Sequence, residues 1–225
     1  MASHSLDVLS RLVRRVPDDM VERARAWRPA APSAPASPAS PASSVILLRD
    51  GPDGLETYLL HRHARMSFAA SMVVFPGGKV DPVDHRQPDP ILGCAVRETE
   101  EETGVRLAPE DLQPWAYWVT PRVEPRRYDT HFFVAELPGG QEAVDVSGET
   151  DFAEWRTPAA AVEAQRAGQI AMMPPTLSIL LELVDLGSVA SVRQAAADRV
   201  IERVLPELIE TSGGWQFRYP RPPRP

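Results

Sequence analysis

Apolar residues near the start of the chain recur at helical spacing, at Leu6, Leu9, Leu12, Val13 and Val16, and predict an amphipathic helix. Pro17 interrupts it, and Asp18 and Asp19 supply a start signal for a second short helix. Over residues 29–44 the periodicity vanishes. Prolines stand at 29, 32, 35, 38 and 41 among Ala and Ser, which favours extended chain without core-forming side chains. The pattern therefore divides the chain into an arm (1–28), a spacer (29–44) and a body (45–225).

The body opens with an apolar run at 45–48, turns through Gly51-Pro52-Asp53-Gly54 and continues into 57–60, the signature of a hairpin. A third strand at 72–75 runs straight into Pro76-Gly77-Gly78, where the backbone must turn tightly with no side chain to shield its carbonyls. Further strands are expected at 115–120, 130–135 and 152–155. Beyond Pro158 the pattern becomes helical, at 158–167, 176–186 and 190–210, with a last strand at 214–219 and a helical C-terminal extension over about 158–225. Without regular βαβ alternation, the fold class is α+β, as a three-layer α/β/α sandwich with a mixed sheet.

Residues 89–104 specify a helix at both ends. Asp89 is a natural N-cap, Pro90 suits the first turn, and Gly104 follows the last turn. At 3.6 residues per turn, Glu98, Glu101 and Glu102 fall at i, i+3 and i+4, on one face. Like charges so spaced destabilise an isolated helix, so a cation belongs there. Arg97 is a local candidate; a hard divalent ion, which takes several oxygen ligands, answers the geometry better.

Composition narrows the choice. Hydrophobic residues make up 43% and charged residues 24%, as in globular proteins. No apolar run reaches the length of a membrane span, and the N-terminus lacks a signal-peptide pattern, so the expectation is a cytoplasmic protein. Cys94 is the single cysteine, which excludes an intramolecular disulfide and a Cys-rich zinc site. A net charge of −7 argues against a nucleic-acid backbone as partner, yet does not exclude a phosphorylated small molecule, which an acidic protein can bind through bridging divalent cations.

The run Arg97-Glu98-Thr99-Glu100-Glu101-Glu102-Thr103-Gly104-Val105 resembles the second half of the Nudix box, with Thr99 at a usually aliphatic position. Gly78 can start the first half. Asp84 stands where that pattern has Glu, and twelve residues instead of seven separate it from Arg97, which implies an enlarged loop before the helix. The resemblance implies a hydrolase (a diphosphatase) using Mg²⁺ or Mn²⁺. Glu98, Glu101 and Glu102, with the Gly78 carbonyl, would be metal ligands, and Arg97 would orient the glutamates. Glu102 or Glu149 would be the general base.

Residues 59–78 and the stretch Pro125-Arg126-Arg127-Tyr128-Asp129-Thr130-His131-Phe132-Phe133 are similar to motifs of the peroxisomal-type acyl-CoA diphosphatase branch of this family, with Ser71 in place of a usual Gly. That likeness implies coenzyme A or acyl-CoA as substrate, with ADP-ribose, NAD(H) or dinucleoside polyphosphates as alternatives and a silent nucleotide-binding module as a third. Arg62, Arg65, Arg126 and Arg127 are candidate phosphate contacts, because guanidinium offers paired donors, and Tyr128 is a candidate for stacking on adenine. Trp115, Trp118 and Phe133, at strand spacing, are expected in the core. Met172 and Met173 suit packing or a pantetheine channel. His61 and His63 share a side without a third ligand, so no zinc site is expected. Relatives of this kind are commonly homodimers, an assembly that no residue here specifies.

Overall fold

The structure is a computed structural model that describes residues 9, 12, 16, 18–26, 38–63, 71–148 and 150–219. Helix α1 (Asp18–Ala26) begins at the expected acidic pair. Strands β1 (Ser40–Gly51) and β2 (Gly54–Arg62) form the hairpin, followed by β3 (Met72–Val74) and β4 (Gly77–Lys79). Helix α2 (Pro90–Thr103) leads to β5 (Gln113–Val119), β6 (Tyr128–Glu136) and β7 (Thr150–Arg156). The C-terminal part holds α3 (Pro158–Arg166), β8 (Ala171–Met172), α4 (Pro174–Leu186), α5 (Val189–Ala197), β9 (Arg203–Val204) and a hairpin of β10 (Glu207–Thr211) and β11 (Gly214–Arg218).

The main sheet is mixed, in the order β8-β3-β2-β1-β6-β5-β9, with β4 also on β1 and β7 on β2. β1 and β2 pair only at their hairpin end, from Leu48↔Thr57 to Gly51↔Gly54. Where they diverge, the chain from β3 to β4 is wedged between them: β3 pairs with β2, and Gly77–Lys79 pairs with Ala42–Ser44 of β1. That wedge sets the glycine turn in the middle of the sheet instead of at its rim.

β1 is buried on both faces, which is why residues 45–48 read as an unbroken apolar run. Ile46 and Leu48 join Leu59, Val73, Trp115, Ile179, Leu180, Leu183 and Val192 under α4 and α5. Val45 and Leu47 join Tyr58, Leu60, Phe133, Ala95, Val105 and Leu107 under α2. The expected α/β/α sandwich is the result, with α2 the one α-helix on its face among the described residues. Trp115, Trp118 and Phe133 are core, at 1%, 4% and 5% exposure.

Two expectations need correction. β1 starts at Ser40, inside the expected spacer, because backbone bonding there does not depend on apolar side chains: the Ser40 N–H donates to the Arg127 carbonyl at 2.8 Å, and residues 40–48 pair in parallel with β6. Residues 198–210 are not helical. Helix α5 stops at Ala197, and β-branched Val200, Ile201 and Val204, with Pro206, favour extended chain, so β9 and β10 form instead. The arm packs on the body. Leu9, Leu12 and Val16 are buried in the α4/α5 core, and Arg23 of α1 reaches Glu124 at 2.8 Å. Among the described residues no single helix is long and apolar enough to cross a membrane.

Ser71 has φ +58°, the left-handed region, the one non-glycine residue of this kind among those described. A side chain there costs roughly 1–2 kcal/mol, partly returned through the unfolded state when it is removed. Ser71→Gly is therefore expected to raise stability by about 0.5–1 kcal/mol in chemical denaturation. An unchanged or lower midpoint would show that the Ser71 side chain makes compensating contacts.

Candidate active site

Helix α2 carries the acidic ridge, and both of its ends are fixed as its sequence implies. The Asp89 carboxylate accepts from the N–H groups of Ile91 and Leu92, and Gly104 closes the helix at φ +71°. Thr99 is fully buried at its unusual position because its hydroxyl donates to the Ala95 carbonyl at 2.7 Å, which satisfies the polar atom within the helix. The longer loop leaves the helix intact: a single 3₁₀ turn at Asp84–Arg86 absorbs it before Pro90.

Arg97 is the hub. Its Nε and Nη2 form a two-pronged pair with Asp84, both at 2.9 Å, and Nη1 reaches Glu98 and Glu101, also at 2.9 Å. Nη2 also donates to the Lys79 carbonyl at 3.3 Å. Asp84 is 3% exposed and accepts a further bond from the Asp81 N–H at 2.8 Å. The Arg97 guanidinium holds the Asp84 carboxyl below the usual carboxylate range. Asp84 was legible in the sequence only as a deviant motif position; its anchoring of Arg97 depends on the loop fold.

The ridge lies against the glycine turn. Glu102, 6% exposed, accepts from the Gly77 N–H at 2.8 Å. Glu98 lies so close to Gly78 that a Cβ added there would meet its carboxylate at 2.3 Å, so the missing side chain makes the room. Burial lifts the Glu98 carboxyl above its ordinary range, and Arg97 only partly offsets this. Cys94 donates its thiol to the Gly78 carbonyl at 3.5 Å; burial pushes that thiol up to about 11, so it stays neutral. Glu101 is the open member, with a side chain 58% exposed.

Among the described residues no three His, Cys, Asp or Glu side chains converge into a ready-made ligand cage. Arg97 takes up oxygens of Glu98 and Glu101. A small hard cation needs no such cage, since Mg²⁺ keeps several waters and uses one or two carboxylates plus substrate phosphates. The all-oxygen donors and the Gly78 cradle against a desolvated carboxylate fit that ion, and do not fit zinc.

The other expected site residues are scattered. Arg126 is exposed on the turn before β6. Arg127 is 8% exposed, and its Nε donates to the Thr120 carbonyl at 3.1 Å, so it ties the β5–β6 connection together. Tyr128 opens β6, half-buried, and Arg62 ends β2 opposite Thr150. Arg65 and Glu149 lie outside the described residues. His61 bonds Glu154 at 2.9 Å and stacks on Phe152, while His63 faces Asp151 at 3.6 Å. His61, Ser71 and Met172 line an open depression of about 520 Å³. It is on the α4/α5 face, where Val73 and Leu59 point, and not on the face that carries α2. Met172 packs against that same core.

A single acidic helix laid over a sheet that a glycine turn has split is the architecture of the Nudix fold. The chain belongs to the NUDIX domain family, whose model matches residues 39–174. It is similar to putative nudix hydrolase 7 of Caenorhabditis elegans, at 27% identity over 56% of this chain and 54% of that protein. It is also similar to the acyl-coenzyme A diphosphatase NUDT19 of Gallus gallus, at 25% identity over 87% of this chain and 79% of that one. The chain thus spans about half the length of the first of these relatives. Among solved structures, a NUDIX hydrolase from Alicyclobacillus acidocaldarius superposes with a TM-score of 0.61 at 22% identity, over 73% of this chain and 98% of that one, a likeness of fold.

Proposed function

We propose that the protein is a hydrolase that uses Mg²⁺ or Mn²⁺ to cleave the diphosphate linkage of a nucleoside diphosphate joined to another moiety, with coenzyme A or acyl-CoA as its substrate. The observation that carries the reading is the Arg97-centred ridge: Glu98 and Glu101 on one guanidinium, Glu102 on the Gly77 N–H, and Glu98 nested against Gly78. Members of the family generally use divalent metals.

Glu98, Glu101 and Glu102, with the Gly78 carbonyl, would hold the ion. When bound, it neutralises phosphate oxygens and lowers the pKa of a coordinated water. Arg97 fixes the rotamers of Glu98 and Glu101 and is itself fixed by Asp84, so the carboxylates keep their aim without a ligand present. Glu102 is held by the Gly77 N–H through one oxygen, Oε2, and is the candidate to accept the water's proton, with Glu149 as the other. The narrower assignment to CoA compounds rests on the sequence motifs at 59–78 and 125–133 and on the similarity to an acyl-CoA diphosphatase.

Incubation with CoA, acyl-CoA, ADP-ribose, NADH and diadenosine polyphosphates, followed by chromatographic product analysis, tests the substrate class. Adenosine 3′,5′-bisphosphate and a phosphopantetheine product from CoA are expected. Faster cleavage of another compound would keep the chemistry and overturn the CoA assignment, and nucleotide binding without turnover would make the domain a binding module.

A further inference from the structure

On the face of the sheet that carries α2, strand registers place five residues side by side. Gly78 of β4 pairs with Ser43 of β1, Ser43 with His131 of β6, His131 with Tyr117 of β5, and Tyr117 with Arg203 of β9. Four inter-strand steps of ~4.8 Å make a row of roughly 19 Å running from the acidic ridge to the sheet edge. Its middle is flat and aromatic, with the Tyr117 and His131 rings stacked at 4.3 Å and 18°. Its far end is cationic. Arg203 lies 6.0 Å from the Tyr117 ring centre, and Arg122 and Arg203 are both close enough to act electrostatically on Arg127.

Arg122, Arg203 and the carboxylate of Asp129 all lie within electrostatic reach of Arg127, which gathers three guanidinium groups at this end of the row on an otherwise acidic protein. Asp129 Oδ1 is buried and has no hydrogen-bond partner among the described residues, so a donor from a ligand would satisfy it. Arg203 comes from the C-terminal extension, beyond the family-matched residues 39–174, and its position is secured upstream. Arg199 forms an ion pair with Glu182 at 2.5 Å, both side chains buried, and lies over the Trp115 ring at 4.0 Å. The sheet edge is thus completed by a segment outside the family-matched region.

We propose that this row is a nucleoside-recognition platform, on which an aromatic base packs against the Tyr117–His131 pair and a phosphate monoester on the ribose binds Arg203, with Asp129 accepting a bond from the base amine or a ribose hydroxyl. The inference rests on the hydrolase reading above and deepens it. A ribose phosphate is what separates CoA compounds from ADP-ribose and dinucleoside polyphosphates, and guanidinium is the side chain that recognises such a group through paired donors. The C-terminal extension is then a specificity element.

Calorimetric titration without metal, using adenosine 3′,5′-bisphosphate and adenosine 5′-monophosphate, separates this from turnover. Wild type is expected to bind the bisphosphate at least tenfold more tightly. Arg203→Ala, at an exposed position, should abolish that preference while leaving monophosphate binding within about twofold. Arg203→Lys should keep part of it, because the charge stays and the paired donors go. Tyr117→Leu should weaken both ligands alike, through the lost stacking. No preference in wild type, or equal weakening of both ligands by Arg203→Ala, would overturn the platform. If the preference is present and Arg203-dependent while CoA is not hydrolysed, the platform stands and the hydrolase reading falls.

Discussion

Glu102→Gln is expected to lower turnover of the cleaved diphosphate by about 10²–10⁴-fold, the range that a positioned general base contributes. The substitution is close to isosteric. Glutamine keeps an oxygen to accept the Gly77 N–H, now at 2.8 Å from the carboxylate, so the glycine turn should stay in place. The negative charge disappears, and with it both the capacity to take a proton from water and the attraction for a divalent cation. The thermal midpoint should therefore change little while the rate collapses. A loss under tenfold would remove Glu102 from the chemistry and point to Glu149, the other candidate base.

Arg97→Met is expected to cost about 3 kcal/mol of stability, the lower end of the penalty for removing one partner of a buried ion pair. The Arg97 side chain is 19% exposed and that of Asp84 3%, so the stranded charge is Asp84, left with the Asp81 N–H as its remaining bond partner in the structure. Its pH dependence has a definite sign. A carboxyl held below its unfolded value contributes stability that is present above about pH 4 and is lost as pH falls through the depressed folded value. The gap between wild type and Arg97→Met should thus be full at pH 7 and shrink below about pH 4 in urea denaturation. A gap that grows in acid would show that Asp84 is not the group released.

Much of this was open to reading from the residues. The caps of α2 at Asp89 and Gly104, the glutamate spacing and the apolar strand runs each arise from local rules that tertiary packing did not override. The parts that escaped depend on partners distant in sequence. Residues 40–44 look like spacer because Pro, Ala and Ser carry no strand signal, yet β6 and β4 supply backbone partners on both sides. Arg203 falls where helix is expected, so nothing local sets it beside Tyr117. The burial of Arg127 and its bond to the Thr120 carbonyl likewise depend on the β5–β6 connection and have no local signal. Tyr117 and His131 are far apart in sequence, and only the β5–β6 register stacks them.

The most direct test of the central claim is the initial rate of CoA and ADP-ribose cleavage in Mg²⁺ or Mn²⁺ against excess chelator, with wild type and Glu101→Gln side by side. Glu101 is solvent-exposed on the ridge, so its loss should spare the fold. The account predicts turnover that requires the divalent ion, is abolished by chelator and restored by re-addition, and falls at least a hundredfold in the variant. Cleavage that persists in chelator, or that Glu101→Gln leaves at the wild-type rate, would contradict a metal-dependent site on this helix.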